Sequence, residues 1–388
     1  MNRLFAVLSG ISEASLYIHI PFCRVKCGYC SFFSVPSDQA GTEHYIEALG
    51  DILAQLPDFK VPTVYVGGGD PGILSFNQMK HLLIALERFS RSAGEFTIEL
   101  NPEGITQELL KLFADYGISR ISLGIQSFDE KLRSAIGRTG TVSAVDRSLE
   151  LLKKTGQFAV NTDLITGIPG AGKDQSVRDI ELLFSRFIPE HISLYELSLE
   201  ETAQISSKLN ELEEDTLSPA WEYLKDAGYR HYELSNFCLS GYESLHNSRY
   251  WKLKPYIGIG PSAVSNLPMG DVFLRSTFAK DIEQFIRYGM ESVSEEIIDG
   301  HTCLNELIMV SLRTEEGIPV ELIDRVFGSN AAQIVTDICR FWKAGGYMKG
   351  SALTEKGMLI MNRIIIDFFR QLDAAAPIYL REALDTVF

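Results

Sequence analysis

Apolar runs and amphipathic stretches take turns along the first half of the chain. Leu16 to Ile20 is a β-branched and aromatic run that reads as a first strand. An amphipathic helix follows, with Tyr45, Leu49, Ile52, Leu53 and Leu56 on one side. Thr63 to Val66 reads as a second strand, and Ser75-x-x-Gln78 is a capping box opening the next helix. Phe96–Leu100, Arg120–Gln126, Ala159–Ile165 and His191–Leu197 read as four more strands, with helices expected over 105–116, 143–154 and 174–187. Strands that alternate with helices in this way build a parallel sheet. Ligand-binding groups of such α/β folds collect at the C-terminal strand ends. An open doubly wound sheet and a partial (β/α)6 barrel both satisfy the alternation.

Past residue 200 the pattern loosens. Helical content is expected around 212–227, and the aromatic-rich passage 229–266 follows. The passage 271–300 reads as a linker with one helix near 280–291. From Leu304 amphipathic helices succeed one another without strong strands, and Leu353-Thr-Glu-Lys-Gly357 leads into an apolar helix, Met358 to Phe369. The expected organisation is a short N-terminal segment (1–15), a core (16–270), a linker (271–300) and a helical accessory domain (301–388).

Charge narrows the function classes. The 388 residues carry a net charge of −15, which argues against a general nucleic-acid binder or a polybasic membrane-surface protein. The apolar run Leu4 to Leu8 is too short for a secretory signal, and no stretch approaches the ~18 apolar residues of a membrane span. A cytoplasmic protein without stable membrane insertion is expected. Pairing with a second copy of the chain is left open.

The chemistry concentrates in Cys23-x3-Cys27-x2-Cys30, three of the six cysteines within eight residues. A loop this short can turn three thiolates onto one centre. A cubane iron–sulfur cluster takes four such ligands, so three would leave one iron open to a cofactor or substrate. A tetrahedral zinc site with a distant fourth ligand is the alternative, although the chain has no second C-x2-C knuckle. Cys238, Cys303 and Cys339 are isolated and read as ordinary buried residues.

Other unusual residues fall at predicted strand ends. Gly67-Gly68-Gly69-Asp70 follows the second strand directly, where a backbone without side chains permits close approach of a ligand or makes a tight turn. No Gly-Lys-Ser/Thr follows, so it is not a phosphate loop. Glu99 and Asp163 are carboxylates that need a polar partner if buried. Gln126 and Arg138 can bind hydroxyl or carboxylate groups, the arginine in bidentate fashion. His246, with Asn247, Tyr250 and Trp251, reads either as a packed aromatic corner or as a heme site, since imidazole is a common axial ligand and aromatic rings stack on a macrocycle.

Taken together, Tyr17-Ile-His-Ile-Pro-Phe-Cys23, Gly67-Gly-Gly-Asp70-Pro71, Glu99-Leu-Asn-Pro-Glu103, Ser122-Leu-Gly-Ile-Gln126, Gly137-Arg138, Asn161-Thr-Asp163 and Tyr232-Glu-Leu-Ser-Asn-Phe237 resemble the motifs of the oxygen-independent coproporphyrinogen III oxidase family, within the radical S-adenosylmethionine (SAM) superfamily. The resemblance runs from about residue 15 to 266. It implies a partial (β/α)6, TIM-like barrel and a helical, winged-helix-like C-terminal domain. It also implies a [4Fe-4S] cluster on Cys23, Cys27 and Cys30, and SAM bound by Tyr17, Tyr29, Gly68, Gly69, Asp70, Glu99, Gln126, Arg138 and Asp163. Two branches of the family compete. The oxidases carry a further cysteine where Phe32 stands and a longer N-terminal extension. The heme-chaperone branch, of the HemW type, carries H-N-x-x-Y-W, matched by His246 to Trp251. The resemblance therefore implies heme as cargo, a heme-acceptor protein as partner, and a heme site at His246, Asn247, Tyr250 and Trp251. A radical SAM enzyme acting on a tetrapyrrole is the alternative. Asp70, Ser244 and Leu245 depart from the family pattern, which usually has Thr at the first position and a Cys-Arg pair at the other two.

Overall fold

A computed structural model describes residues 3–197, 215–374 and 380–388. The helical content expected at 212–214 lies outside them; from Ser218 to Asp226 the helix is present.

The six expected strands are β1 (Ser15–Ile20), β2 (Thr63–Gly68), β3 (Glu95–Leu100), β4 (Arg120–Gln126), β5 (Ala159–Thr166) and β6 (His191–Glu196). They stand side by side in chain order, every pair parallel. A doubly wound sheet reverses its strand order part-way. This one does not, which is the order of a partial (β/α)6 barrel. All seven residues of β4 are buried, as a strand covered on both faces requires.

The intervening helices follow the sequence signals. Asp38 caps Gln39–Gln55 by accepting from the Gly41 N–H at 2.7 Å, and Tyr45, Leu49, Ile52 and Leu53 face the core. Ser75 and Gln78 form both halves of the capping box of Phe76–Ser90. Before β1, the helix Arg3–Leu8 inserts Leu4 and Leu8 into the same core.

The sheet continues beyond the six strands. β8 (Asn236–Cys238) pairs antiparallel with β6, and β7 (Arg230–Glu233) pairs antiparallel with β8 at the sheet edge. On the other side β9 (Tyr256–Ile259) lies parallel to β1 and leads into the meander β10 (Val264–Met269), β11 (Val272–Phe278) and β12 (Val293–Ile298). The passage 271–300 is thus not a linker, because it supplies the last two strands of a twelve-stranded sheet. β12 carries no strand-like apolar pattern because it is an edge strand, whose Ser294, Glu295 and Glu296 face solvent.

After Ile298 the chain builds a second core from the helices Gly300–Ser311, Val320–Phe327 and Ser329–Ala344, a short hairpin (Met348–Lys349 with Ala352–Leu353) and the helix Met361–Asp373. Three helices followed by a hairpin is the winged-helix order. The apolar helix expected from Met358 is split, with a turn at Glu355–Met358 before Met361. No described helix is long and apolar enough to cross a membrane.

Candidate functional site

β1 runs directly into the cysteine loop. Phe22–Cys23 pairs with Val35–Pro36 in a two-residue parallel ladder that closes the loop at its base. The Gly28 N–H donates to the Ile136 carbonyl at 3.3 Å, and the Cys30 N–H to the Cys27 carbonyl at 3.2 Å. Buried His19 shares hydrogen bonds with the Phe33 carbonyl (2.8 Å) and the Tyr17 hydroxyl (3.0 Å). The loop is tethered at its base, tip and exit, and its three thiols stay half-buried.

Those thiols share a cavity of about 370 Å³ with residues from the C-terminal ends of the strands. Gly68, Gly69, Glu99, Gln126, Arg138, Asp163 and Tyr29 all line it, as the sequence motifs led one to expect. Among the described residues no three His, Cys, Asp or Glu side chains gather tightly enough around one point to hold a single metal ion. A cubane instead spreads its thiolates over separate irons. Three half-buried thiols on one short loop, all opening on the same cavity, suit a cubane that leaves one iron open.

The glycine loop is confined on every side. A Cβ at Gly68 (φ +110°) would lie 2.6 Å from the His19 ring, and one at Gly69 would lie 2.4 Å from the Phe22 carbonyl oxygen and 3.0 Å from Cys23 Sγ. Its amides already have acceptors. Gly68 N–H donates to Glu99 Oε2 (3.1 Å), Gly69 N–H to Ile20 O (2.8 Å) and Asp70 N–H to Phe22 O (2.8 Å). What the loop has left for a ligand is carbonyl oxygen, which suits a donor such as an amino group and not an anion.

Two expected SAM contacts lie elsewhere. Asp70 turns away from the cavity; its carboxylate accepts from Gly72 N–H (3.0 Å), Asn101 N–H (3.2 Å) and Asn101 Nδ2 (2.8 Å). Engaged in this way, it caps the turn after β2 and does not confront a ligand carboxylate. Tyr17 sits behind His19 and does not line the cavity.

Two carboxylates form the cavity floor. Burial pushes Glu99 up to about 7, and the charge of Asp163 adds to this; hydrogen bonds from Tyr65 (2.5 Å) and Gly68 act the other way. Burial also raises Asp163, opposed by Ser193, by Asn161 Nδ2 at 2.8 Å and by Ser122 Oγ at 3.3 Å. A ligand bringing hydroxyl or ammonium donors would relieve both.

Gln126 has φ +71°, at a register shift between Gly124 and Gln126. Such backbone is costly for a residue with a Cβ and persists only where its surroundings over-determine it. Two arginines do so. Arg138 donates to the Gly124 carbonyl, and fully buried Arg133 donates to the Ile125 carbonyl and, at 3.0 Å, to that of Gly140. Sequence reasoning missed Arg133, because nothing marks one arginine of an amphipathic helix as buried.

The histidine motif lies at the opposite end of the barrel. Thr63, Glu95 and Arg120 begin β2, β3 and β4, and the helix Leu245–Trp251 packs on them. A six-residue strand separates this end from the cysteines by roughly 17–20 Å. His246 Nδ1 bonds to Thr63 Oγ1 at 2.8 Å, Nε2 bonds to the Tyr250 hydroxyl at 2.9 Å, and the ring stacks on Tyr65 at 4.8 Å. Burial pushes the imidazole down to about 3, so it is neutral. Trp251 lies beneath Arg313 of the C-terminal domain, with the guanidinium 5.7 Å from its ring centroid. Of the residues expected at the heme site, His246 has both ring nitrogens engaged and its side chain buried, packed against Tyr65 and Tyr250. The arrangement is a packed corner. Glu95 anchors it by accepting from the Leu245 and His246 amides (3.1 and 3.0 Å) and from Arg120 Nε (3.0 Å). Ser244 caps the helix, accepting from Asn247 N–H at 3.2 Å.

Comparison with known proteins decides the family. Residues 17–183 match the radical SAM superfamily model. The heme chaperone HemW of Lactococcus lactis subsp. lactis is 34% identical over 81% of this chain and 85% of its own length. The chain belongs to the heme chaperone HemW family of radical SAM proteins. The HemW of Escherichia coli K12 is 30% identical over 90% of this chain and 97% of its own. Coproporphyrinogen III oxidase (HemN) from Escherichia coli, a radical SAM enzyme, superposes with a TM-score of 0.78 over 94% of this chain and 92% of its own at 19% identity. That likeness shows the barrel and the accessory domain as a shared fold. Phe32, at the position where the resemblance led one to look for an oxidase cysteine, lines the cysteine cavity, and among the described residues no fourth thiol does.

Proposed function

We propose that the protein is a heme chaperone. In this reading it carries a [4Fe-4S] cluster on Cys23, Cys27 and Cys30, binds SAM beside it, and hands heme to an acceptor protein. The observation that carries the cofactor part is the single cavity in which three half-buried thiols meet Glu99, Gln126, Arg138 and Asp163. When bound, the cluster supplies an open iron position and one-electron chemistry. The chain's own residues do the rest. The Gly68–Gly69 carbonyls and Glu99 accept hydrogen bonds from an amino group, and Asp163 and Gln126 engage hydroxyls. Arg138 stands beside the thiols and offsets their charge on ionisation. Tyr29 closes the wall next to Cys27 and Cys30.

The heme part rests on the names of the HemW relatives, which match 81% and 90% of the chain. The test is anaerobic reconstitution of the full chain, followed by iron and sulfide assay, SAM binding and heme titration. About four irons, one SAM and saturable heme per chain, with iron lost in Cys27→Ala, support the reading. Saturable SAM without heme would point to a radical SAM enzyme instead.

A further inference from the structure

Asn161 and Asp163 are two apart on β5, so their side chains stand on the same face of the strand. Asp163 lines the cysteine cavity. Asn161 does not; it lines a separate polar cavity of about 40 Å³ behind it. The sheet register sets Asn161 between Ser122 of β4 and His191 of β6. His191 in turn meets Tyr232 of β7, which opens a sequence motif that takes no part in the cysteine cavity.

The direction of these hydrogen bonds is forced from one end. The Ser244 amide can only donate, and it donates to the Tyr232 oxygen at 3.2 Å. The Tyr232 O–H then serves His191 Nε2 at 2.8 Å. Burial and the charge of Arg120 push the imidazole well below its ordinary 6.5, so the ring is neutral and carries a single N–H. With Nε2 accepting, that proton sits on Nδ1, which donates to Asn161 Oδ1 at 2.6 Å. Ser193 Oγ adds a longer contact to the same oxygen at 3.2 Å. The orientation of the Asn161 amide follows. Its Nδ2 faces Asp163 Oδ1 at 2.8 Å and Ser122 Oγ at 2.7 Å. Ser122, accepting there, turns its own proton to Asp163 Oδ2 at 3.3 Å. The reversed amide would set a carbonyl oxygen against a buried carboxylate. Tyr232, His191, Asn161 and Ser122 are all buried, so water does not substitute for a missing link.

We propose that His191 is a positioning residue for the ligand of the cysteine cavity, holding the Asp163 carboxylate through Asn161 in the orientation that receives the ligand's ribose hydroxyls. Tyr232 acts one link further back, by fixing the imidazole tautomer. This rests on the SAM-binding reading above and deepens it. His191 does not line the cysteine cavity, so its effect passes through Asp163. A carboxylate held from behind by directed donors meets a hydroxyl in one geometry; without them it rotates, and the pairing weakens.

The experiment measures binding of SAM, and of a SAM analogue lacking both ribose hydroxyls, to the full chain with its cluster reconstituted. It compares wild type with His191→Leu, which removes the donor at similar volume, His191→Asn, whose amide restores it, and Tyr232→Phe. Circular dichroism and iron content check the fold and the cluster. SAM affinity is expected to fall about tenfold in His191→Leu and about threefold in Tyr232→Phe, with most of it regained in His191→Asn. The analogue should bind all four chains alike. Nitrogen NMR of the cluster-free wild type should find the His191 proton on Nδ1, and a proton on Nε2 would overturn the proposal. Unchanged SAM affinity in folded His191→Leu, or an equal loss for SAM and the analogue, would also overturn it and leave the cofactor reading standing. Should His191→Leu not fold, Tyr232→Phe decides on the same comparison. If wild type binds no SAM, the cofactor reading itself fails.

Discussion

The hydroxyl of Thr63 and the imidazole of His246 meet at 2.8 Å, joining the first residue of the second barrel strand to a helix 183 residues away. With the Tyr250 hydroxyl on the other ring nitrogen, the histidine is a cross-link of the barrel foot. His246→Ala is therefore expected to lower stability by about 2–4 kcal/mol, through lost side-chain volume and an orphaned Tyr250 hydroxyl, Thr63 keeping its bond to Ser15. Urea denaturation measures it. An unchanged midpoint would contradict the packed corner.

The same histidine has a pH signature. Its folded value is pushed down to about 3 from an ordinary 6.5, so between those values the unfolded chain binds the extra proton. Its contribution is complete above about pH 6.5 and is lost as pH falls. His246→Gln should flatten that part of the acid limb of a stability–pH curve.

Glu99 works in the other direction. Its carboxyl is pushed up to about 7 from 4.5, so the folded chain holds the proton longer and stability falls as pH rises through that window. Glu99→Gln should match wild type near pH 4.5 and be more stable by up to about 3 kcal/mol at pH 8 without ligand. Denaturant midpoints at the two pH values decide it, and a gap that does not widen with pH would refute the buried-carboxylate account.

Arg120 and Glu95, both buried, meet at 3.0 Å, and Arg120 Nη2 also donates to the carbonyls of Tyr242 and Glu243. Removing one member leaves the other charge buried. Arg120→Ala should cost about 3–5 kcal/mol. Proteolysis around 242–251 should become faster, as seen by mass spectrometry of early fragments.

Gly69→Ala should separate folding from cluster loading. The new Cβ meets a backbone carbonyl and Cys23 Sγ, neither of which can yield without moving the cysteine loop. We expect a folded chain by circular dichroism whose reconstituted iron content falls well below wild type.

The sequence by itself determined the alternation of strands and helices and most of the site, and the resemblance of its motifs, not the alternation, singled out the barrel. Strand periodicity, the capping box at Ser75 and the cysteine spacing are local signals. A parallel α/β fold turns its strand ends into the walls of one cavity, so Glu99, Gln126 and Asp163 are legible from position, and Arg138, beyond the helix after β4, from the Gly137-Arg138 motif. Tertiary structure alone decided three things. Edge strand β12 carries polar residues on its open face, and only its pairing with β11 shows that it belongs to the sheet. Asp70 and Tyr17 carry the right motif positions, yet their side chains are taken up by Asn101 and His19. His246 sits in a motif that suggests a ligand, but the strand direction puts it at the far end of the barrel, where two hydroxyls occupy its nitrogens. Motifs fix which residues are present. Whether a polar atom is free depends on partners distant in sequence, and those meet only when the chain folds.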